Sequence, residues 1–313
     1  MNILIIQRPG STIGGDWHFA SYYAAAMQQA GIEVTLAGAD NIPDLMPFDL
    51  VHIMAACAPE WGIEAATEVK RAKKPLIITP LYWPRDTRLR FYGQSADLFP
   101  GYKQAITTIL LLADVWACVT MSELIRCYAL VPRHPAFVMG VGRPEIKIKA
   151  NKTPDDYVLC AARVEQHKNQ LSLARACKMM GLRLECVGPI QDKSYAYQVA
   201  ALGGNVRGEL SHEKTLEMMA NCRVHALPSF GEIAAHANLE AAVMGVPSVM
   251  CLDAAEPEFF GSGGIYCDAS NWRDIADAVW LAWHRPRGQW CTNYIPTWDE
   301  VAQRVITWIQ SVS

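Results

Sequence analysis

Val224-His-Ala-Leu-Pro-Ser-Phe-Gly-Glu-Ile-Ala-Ala-His-Ala-Asn-Leu-Glu240-Ala-Ala-Val-Met-Gly-Val-Pro-Ser-Val-Met-Cys-Leu252 joins two short apolar runs through a loop and a small-residue helical run. The first run, 224–227, is too short for a helix and reads as a strand. Residues 238–244 carry Leu, Ala, Val and Met at helical spacing, and Gly245-Val-Pro247 stops them. Residues 248–252 then start a second strand. A strand, a helix and a strand in that order make a parallel unit with a crossover helix.

The same rhythm runs through the rest of the chain. Strands are expected near residues 2–6, 33–36, 49–54, 75–79, 114–119 and 136–139, with helices near 17–29, 63–73, 102–112 and 122–130. Further strands follow near 157–162, 183–187 and 265–267, with helices near 170–180, 214–220 and 271–283. Continuous apolar runs such as Leu4-Ile-Ile6 suit sheets covered on both faces. The pattern lapses from Gly140 to Asp156, where Gly, Pro, Lys and Asn cluster. The expectation is an α/β chain of two Rossmann-like domains that face each other, with ligands at the carboxyl ends of their parallel strands. Thr297-Trp-Asp-Glu300 has the form of a capping box and marks the start of a last helix.

Length and composition narrow the classes. The 313 residues are enough for two cores, and 51% of them are hydrophobic. A formal net charge of −3 gives no basic footprint for nucleic acid, so no nucleic-acid partner is expected. No stretch reads as a signal peptide or a membrane span, so a soluble, cytoplasmic protein is expected. The ten cysteines are scattered, and Cys57, Cys118, Cys160, Cys186 and Cys251 sit in or beside apolar runs, as buried thiols in a reducing compartment do. No metal is expected, since the histidines lack metal-ligand spacing and no Asp-x-Asp occurs.

Three strand-to-helix turns carry the candidate chemistry. Arg8-Pro-Gly-Ser-Thr-Ile-Gly14-Gly15 leaves the first strand, and its paired glycines permit either a tight turn or close backbone approach to a ligand. Arg163-Val-Glu-Gln-His-Lys168 offers a guanidinium and an ammonium before a helix, which suits a diphosphate but also a solvated loop. In the third turn Glu232 and Glu240 can accept hydrogen bonds from sugar or ribose hydroxyls, or simply offset a helix dipole.

Taken together these turns resemble the retaining glycosyltransferases of family 4, which have the GT-B fold. Glu232 to Glu240 matches their E-x7-E motif, Arg163 and Lys168 their R…K pair, and Gly14-Gly15 their amino-terminal glycine loop. The resemblance covers nearly the whole chain and is most specific from Arg163 to Gly245. It implies an acceptor-side domain over 1–145, a nucleotide-sugar domain over 146–290 and a crossover helix over 291–313 that packs on the first domain. It further implies that Arg163 and Lys168 hold the donor diphosphate, Glu240 the ribose hydroxyls, and that Glu232 lies near the transferred sugar. Backbone amides around Ala235 and His236 would assist, and the turn from Val206 to Ser211, with Gly208 and Leu210, would line the nucleobase. The implied reaction is sugar transfer from a nucleotide-sugar donor to a glycan, lipid-linked or small-molecule acceptor, with retention, no metal and no further cofactor. The alternative is a non-catalytic sugar-nucleotide-binding protein of the same fold.

The chain departs from the family pattern in places. Thr79-Pro-Leu-Tyr82-Trp-Pro lacks the histidine that many members carry there, and Tyr82 or His18 is left to replace it. His52 reads as a packed strand residue. Ala235 and His236 stand where a glycine and an apolar residue are usual. Tyr82, Trp83, Phe91 and Tyr92 could stack on an acceptor sugar or cover a sheet edge, and Arg85, Arg88 and Arg90 could meet a phosphate. Residues 68–90 hold seven basic and two acidic side chains, which fits a solvated surface or a weak peripheral contact with an anionic membrane.

Overall fold

The computed structural model describes residues 1–10, 15–54, 59–83, 101–288 and 294–312. They form two compact units: the first holds the described part of 1–143 together with the closing segment from Ile295, and the second begins at Pro144.

In the first unit the order is β1 (Asn2–Gln7), α1 (Gly15–Gln29), β2 (Glu33–Gly38), β3 (Leu50–Met54), α2 (Pro59–Arg71) and β4 (Leu76–Thr79). It continues with α3 (Tyr102–Leu112), β5 (Val115–Cys118), α4 (Met121–Leu130) and β6 (Ala136–Val138). All strands are parallel, in the order β2-β1-β3-β4-β5-β6. Alternate residues of the strands, among them Leu4, Ile6, Val51, Ile53, Leu76 and Trp116, make one core face with Ala66 and Val69 of α2 and Ile106 and Leu110 of α3.

The opposite face is closed by the end of the chain. Helix α11 (Trp298–Val312) lies against α1. Its Trp298 ring meets Phe19 edge-on at 5.1 Å and Tyr22 at 5.9 Å, and Trp308 stacks on Phe137 at 5.1 Å. A Cβ on Gly142 would fall 2.2 Å from the Trp298 ring, so that glycine leaves the room the indole fills. The capping box is formed as expected: the Glu300 amide donates to Thr297 Oγ1 at 3.3 Å and the Thr297 amide to Glu300 Oε2 at 2.7 Å. Trp298→Ala is expected to destabilise the first unit by about 3–5 kcal/mol, read by urea unfolding, because it empties an indole-sized volume. The chain thus ends on the domain it began with, as the sequence resemblance implied.

In the second unit β7 (Asp155–Ala161) is followed by a 3-10 turn (Gln166–Lys168), α5 (Gln170–Met180), β8 (Arg183–Val187), α6 (Lys193–Ala201) and β9 (Gly204–Gly208). Then come α7 (His212–Asn221), β10 (Cys222–Leu227), α8 (His236–Met244), β11 (Ser248–Cys251), α9 (Glu256–Phe260), β12 (Ile265–Cys267) and α10 (Trp272–His284). The six strands are parallel in the order β12-β11-β10-β7-β8-β9. Val158, Cys160, Leu184 and Val224 face α5, α6 and α10, while Tyr157, Leu159 and Val187 face α7 and α8. Helix α6 and strand β9 were not expected from sequence. Strand β9 reads Gly-Asn-Val-Arg-Gly, an edge strand with one apolar side chain and alternating exposure, so it lacks the apolar run that marks the others.

Eight cysteines are described, and all are buried free thiols; Cys57 lies outside the described residues. Among the described residues no helix is long and apolar enough to cross a membrane.

Candidate functional site

In the second sheet the strand order reverses between β7 and β10, so the loops leaving these neighbours part at their carboxyl ends and open a ligand crevice. The loop after β7 holds Arg163 and Lys168, and the loop after β10 holds Glu232.

Asn169 stitches the two loops together. It takes φ +59°, which asparagine tolerates better than most residues, and is fully buried. Its Nδ2 donates to the carbonyls of Pro228 at 3.0 Å and Ala269 at 2.8 Å. The Phe230 amide donates to the His167 carbonyl at 3.0 Å. These bonds bring Lys168 Nζ to 2.6 Å from Glu232 Oε1, with each side chain only 12% exposed. Burial alone would raise the Glu232 pKa, but the Lys168 ammonium, helped by His167, outweighs it and holds the carboxyl below its usual range.

Glu240, on α8, accepts a hydrogen bond from His212 Nε2 at 2.7 Å. His212 opens α7 directly after the turn expected to line a nucleobase, so that turn and Glu240 are neighbours. The bond raises the His212 pKa against the opposing effect of partial burial. A raised histidine stabilises the fold fully below its unfolded value of about 6.5, and that stability fades as pH climbs through the folded value. The stability difference between the wild type and His212→Ala is therefore expected to shrink from pH 6 to pH 8 in thermal melts, and equal differences at both pH values would contradict it.

The remaining expected residues fall around these two pairs. Arg163 is 38% exposed and its guanidinium lies 3.1 Å from Glu165, on the rim rather than against Lys168. Gly208 has φ +74° and its carbonyl accepts from the Gly188 amide at 2.9 Å, tying the ends of β8 and β9. Leu210 is half-buried against the α7–α8 core face. Ala235 is the buried N-cap of α8 and His236 its first residue, so their amides lie at a helix start. Gly15 opens α1, and Gly14 lies outside the described residues, as do Arg85, Arg88, Arg90, Phe91 and Tyr92.

Several first-unit candidates make contacts within their own unit. Tyr82 is buried against Tyr102, and its amide donates to the buried Glu123 carboxylate at 2.9 Å. Trp83 lies 3.7 Å under the Arg126 guanidinium. His18 stacks beside Tyr22 at 6.1 Å. His52 is a packed strand residue, with Nε2 2.8 Å from Thr79 Oγ1 and its pKa lowered by burial to about 3.

Sequence reasoning gave no role to Glu256, Asn238, His212 or Gly188. Glu256 is buried at the start of α9 and receives the Asn238 Nδ2 bond at 3.4 Å, while the Ala255 amide donates to the Glu232 carbonyl at 2.9 Å. Glu256-Pro257 is a legible helix start, but nothing local says its carboxyl turns inward. Among the described residues, no three of His, Cys, Asp and Glu gather as a metal site.

Residues 142–289 match the family model of glycosyl transferases group 1. No curated protein sequence matches the chain. Sucrose-phosphate synthase from Thermosynechococcus elongatus superposes with a TM-score of 0.77 at 13% identity, covering 100% of this chain and 99% of that one. Anabaena HepE in complex with UDP and glucose gives 0.71 at 14% identity, covering 99% and 100%. The trehalose-6-phosphate structure from E. coli, bound with UDP-2-fluoro glucose, gives 0.64 at 9% identity, covering 100% and 95%. The chain has the GT-B fold, and the match to the group 1 glycosyl transferase model spans most of its second unit.

Proposed function

We propose that this protein is a glycosyltransferase of the retaining family 4 type. It moves a sugar from a nucleoside-diphosphate sugar to an acceptor with retention of anomeric configuration and without a metal. In this reading 146–290 holds the donor, 1–145 takes the glycan, lipid-linked or small-molecule acceptor, 291–313 braces the first domain, and the protein works in the cytoplasm. The observation that carries it is the Lys168–Glu232 pair at the strand-order reversal of the second sheet, with Glu240 nearby on the same loop-and-helix unit. The family match of residues 142–289 and the UDP and UDP-sugar complexes of proteins with this fold support the same reading.

The difficult step is departure of the nucleoside diphosphate, which gathers negative charge while the sugar becomes cation-like. Lys168, held by Glu232 at the crevice, supplies the positive charge that turns toward the diphosphate as its negative charge develops. Arg163, on the rim, adds a guanidinium fork once it releases Glu165. The first amides of α8, from Ala235 and His236 onward, point a helix dipole at the same region. Glu240 accepts from ribose hydroxyls as His212 yields its bond, Gly208 and Leu210 border the base, and Gly14 and Gly15 let the α1 turn approach the donor. Glu232 faces the transferred sugar, where its carboxylate steadies positive charge on the ring.

A thermal-shift screen against UDP, GDP, ADP and CMP tests this. At 100 times its dissociation constant the right nucleotide should stabilise the fold by about 2.7 kcal/mol. The shift is expected to disappear in Glu240→Ala and to weaken in Arg163→Ala. Product NMR then reads anomeric configuration, and turnover with a chelator reads metal dependence. Inversion, or activity abolished by the chelator and restored by a divalent cation, would overturn those parts of the reading.

A further inference from the structure

Beneath this site a second buried carboxyl group, Glu256, lies within electrostatic reach of the Lys168–Glu232 pair. Lys168 is committed to Glu232 at 2.6 Å. Glu256, 1% exposed, receives the long Asn238 Nδ2 contact on Oε1 at 3.4 Å and interacts with its own backbone amide, and neither contact brings it a positive charge. Asn238, fully buried, leaves Oδ1 unpartnered. A buried, ionised carboxylate held only by neutral contacts is expensive enough to take up a proton instead. Its neighbours point the same way. Glu232, from the loop after β10, repels a second negative charge, and Lys168, from the loop after β7, is already neutralised. Asn238, on α8, is uncharged. On its own segment Asp253 and Glu258 are exposed, and His167 acts on Glu232.

We propose that Glu256 is a positioning residue for sugar transfer, held as the neutral acid so that it can donate a hydrogen bond to Glu232 when Lys168 turns toward the donor diphosphate. This rests on the glycosyltransferase reading. Without such a donor, drawing Lys168 onto the phosphates would take from the Glu232 carboxylate its charge partner and leave it the neutral Ser229 hydroxyl. With it, Glu232 stays anionic beside the sugar and no net charge is added to the pocket. Burial, reinforced by Glu232, raises the Glu256 pKa to about 8, so the proton is present at neutral pH and is lost just above it. Loss of that proton adds a negative charge beside the diphosphate and removes the hydrogen bond together.

Two measurements separate this proposal from the reading beneath it. The first uses no ligand. A carboxyl with a raised folded pKa holds its proton while the unfolded chain has lost it, so stability falls as pH rises from about 4.5 toward 8 and levels above that. The Tm of E256Q minus that of the wild type should grow across this window and then stay constant. Parallel curves would overturn the proposal. The second is calorimetric binding of inorganic pyrophosphate at pH 7 and pH 9. The wild type should lose at least about tenfold in affinity at pH 9, E256Q less than threefold, and E256L should bind poorly at both. Equal pH losses in the wild type and E256Q would also overturn the proposal. Absence of pyrophosphate binding at both pH values, with diverging stability curves, would strike the donor site of the parent reading and leave the protonated Glu256 standing.

Discussion

Lys168→Ala is expected to lower turnover of a nucleoside-diphosphate sugar by about 10²–10³-fold, the range seen when one preorganised electrostatic contact is removed from a transition state. The same change strands Glu232, whose side chain is 12% exposed and whose charge partner is gone. Breaking a buried pair from one side destabilises by about 3–5 kcal/mol, so a fall in activity alone would be ambiguous. The double variant Lys168→Met with Glu232→Gln removes both charges and leaves none uncompensated. It should recover most of the stability lost in the single variant while turnover stays low. Turnover that returns with stability would show the lysine to be a structural ion pair, and the catalytic assignment would fall.

Gly188→Ala should be the most disruptive single methyl group in the second unit. Gly188 has φ +147°, and a Cβ there would lie 2.2 Å from the Ala162 carbonyl oxygen, 2.6 Å from its carbon and 3.1 Å from the Arg163 amide nitrogen. These are backbone atoms, fixed by the β7–β8 pairing at Ala161 and Val187 and by the Ala162 amide donating to the Val187 carbonyl at 2.9 Å. They cannot rotate away as a side chain would, so the two strand ends must separate. A loss of about 4 kcal/mol or more is expected in denaturant unfolding. The displaced segment carries Arg163, and nucleotide-induced thermal shifts should weaken as well. Gly181→Ala is the control: Gly181 has φ +68° with nothing within 4 Å of its Cβ position, and about 1 kcal/mol is expected there. Equal losses at the two positions would show that backbone conformation alone, and not the close approach of β8 to β7, sets the requirement at Gly188.

Much of the architecture was readable because it is written locally. Leu4-Ile-Ile6 and Val224-His-Ala-Leu227 announce strands by themselves, and Thr297 with Glu300 closes its capping box within a single turn of helix. The crossover rhythm that follows from such runs dictates parallel sheets. Where the local signal is thin the reading failed: β9, with one apolar side chain, exists because β8 offers it a free edge.

The site divides the same way. The sequence determined that Arg163, Lys168, Glu232 and Glu240 follow strand ends of a parallel sheet, and so which loops are proposed to hold the chemistry. It could not determine which charges meet. Lys168 and Arg163 are near in sequence, yet one pairs with Glu232 across the loop boundary and the other with Glu165 beside it. That difference comes from Asn169 and its two carbonyl bonds, which set the loops at bonding distance. Glu256 owes its raised pKa to the same cause, a buried position near the Glu232 carboxylate, which is itself paired with Lys168. Strand and helix signals act over a few residues and survive in the linear text. Electrostatic partners and proton occupancy depend on distance and burial, which only the folded chain creates.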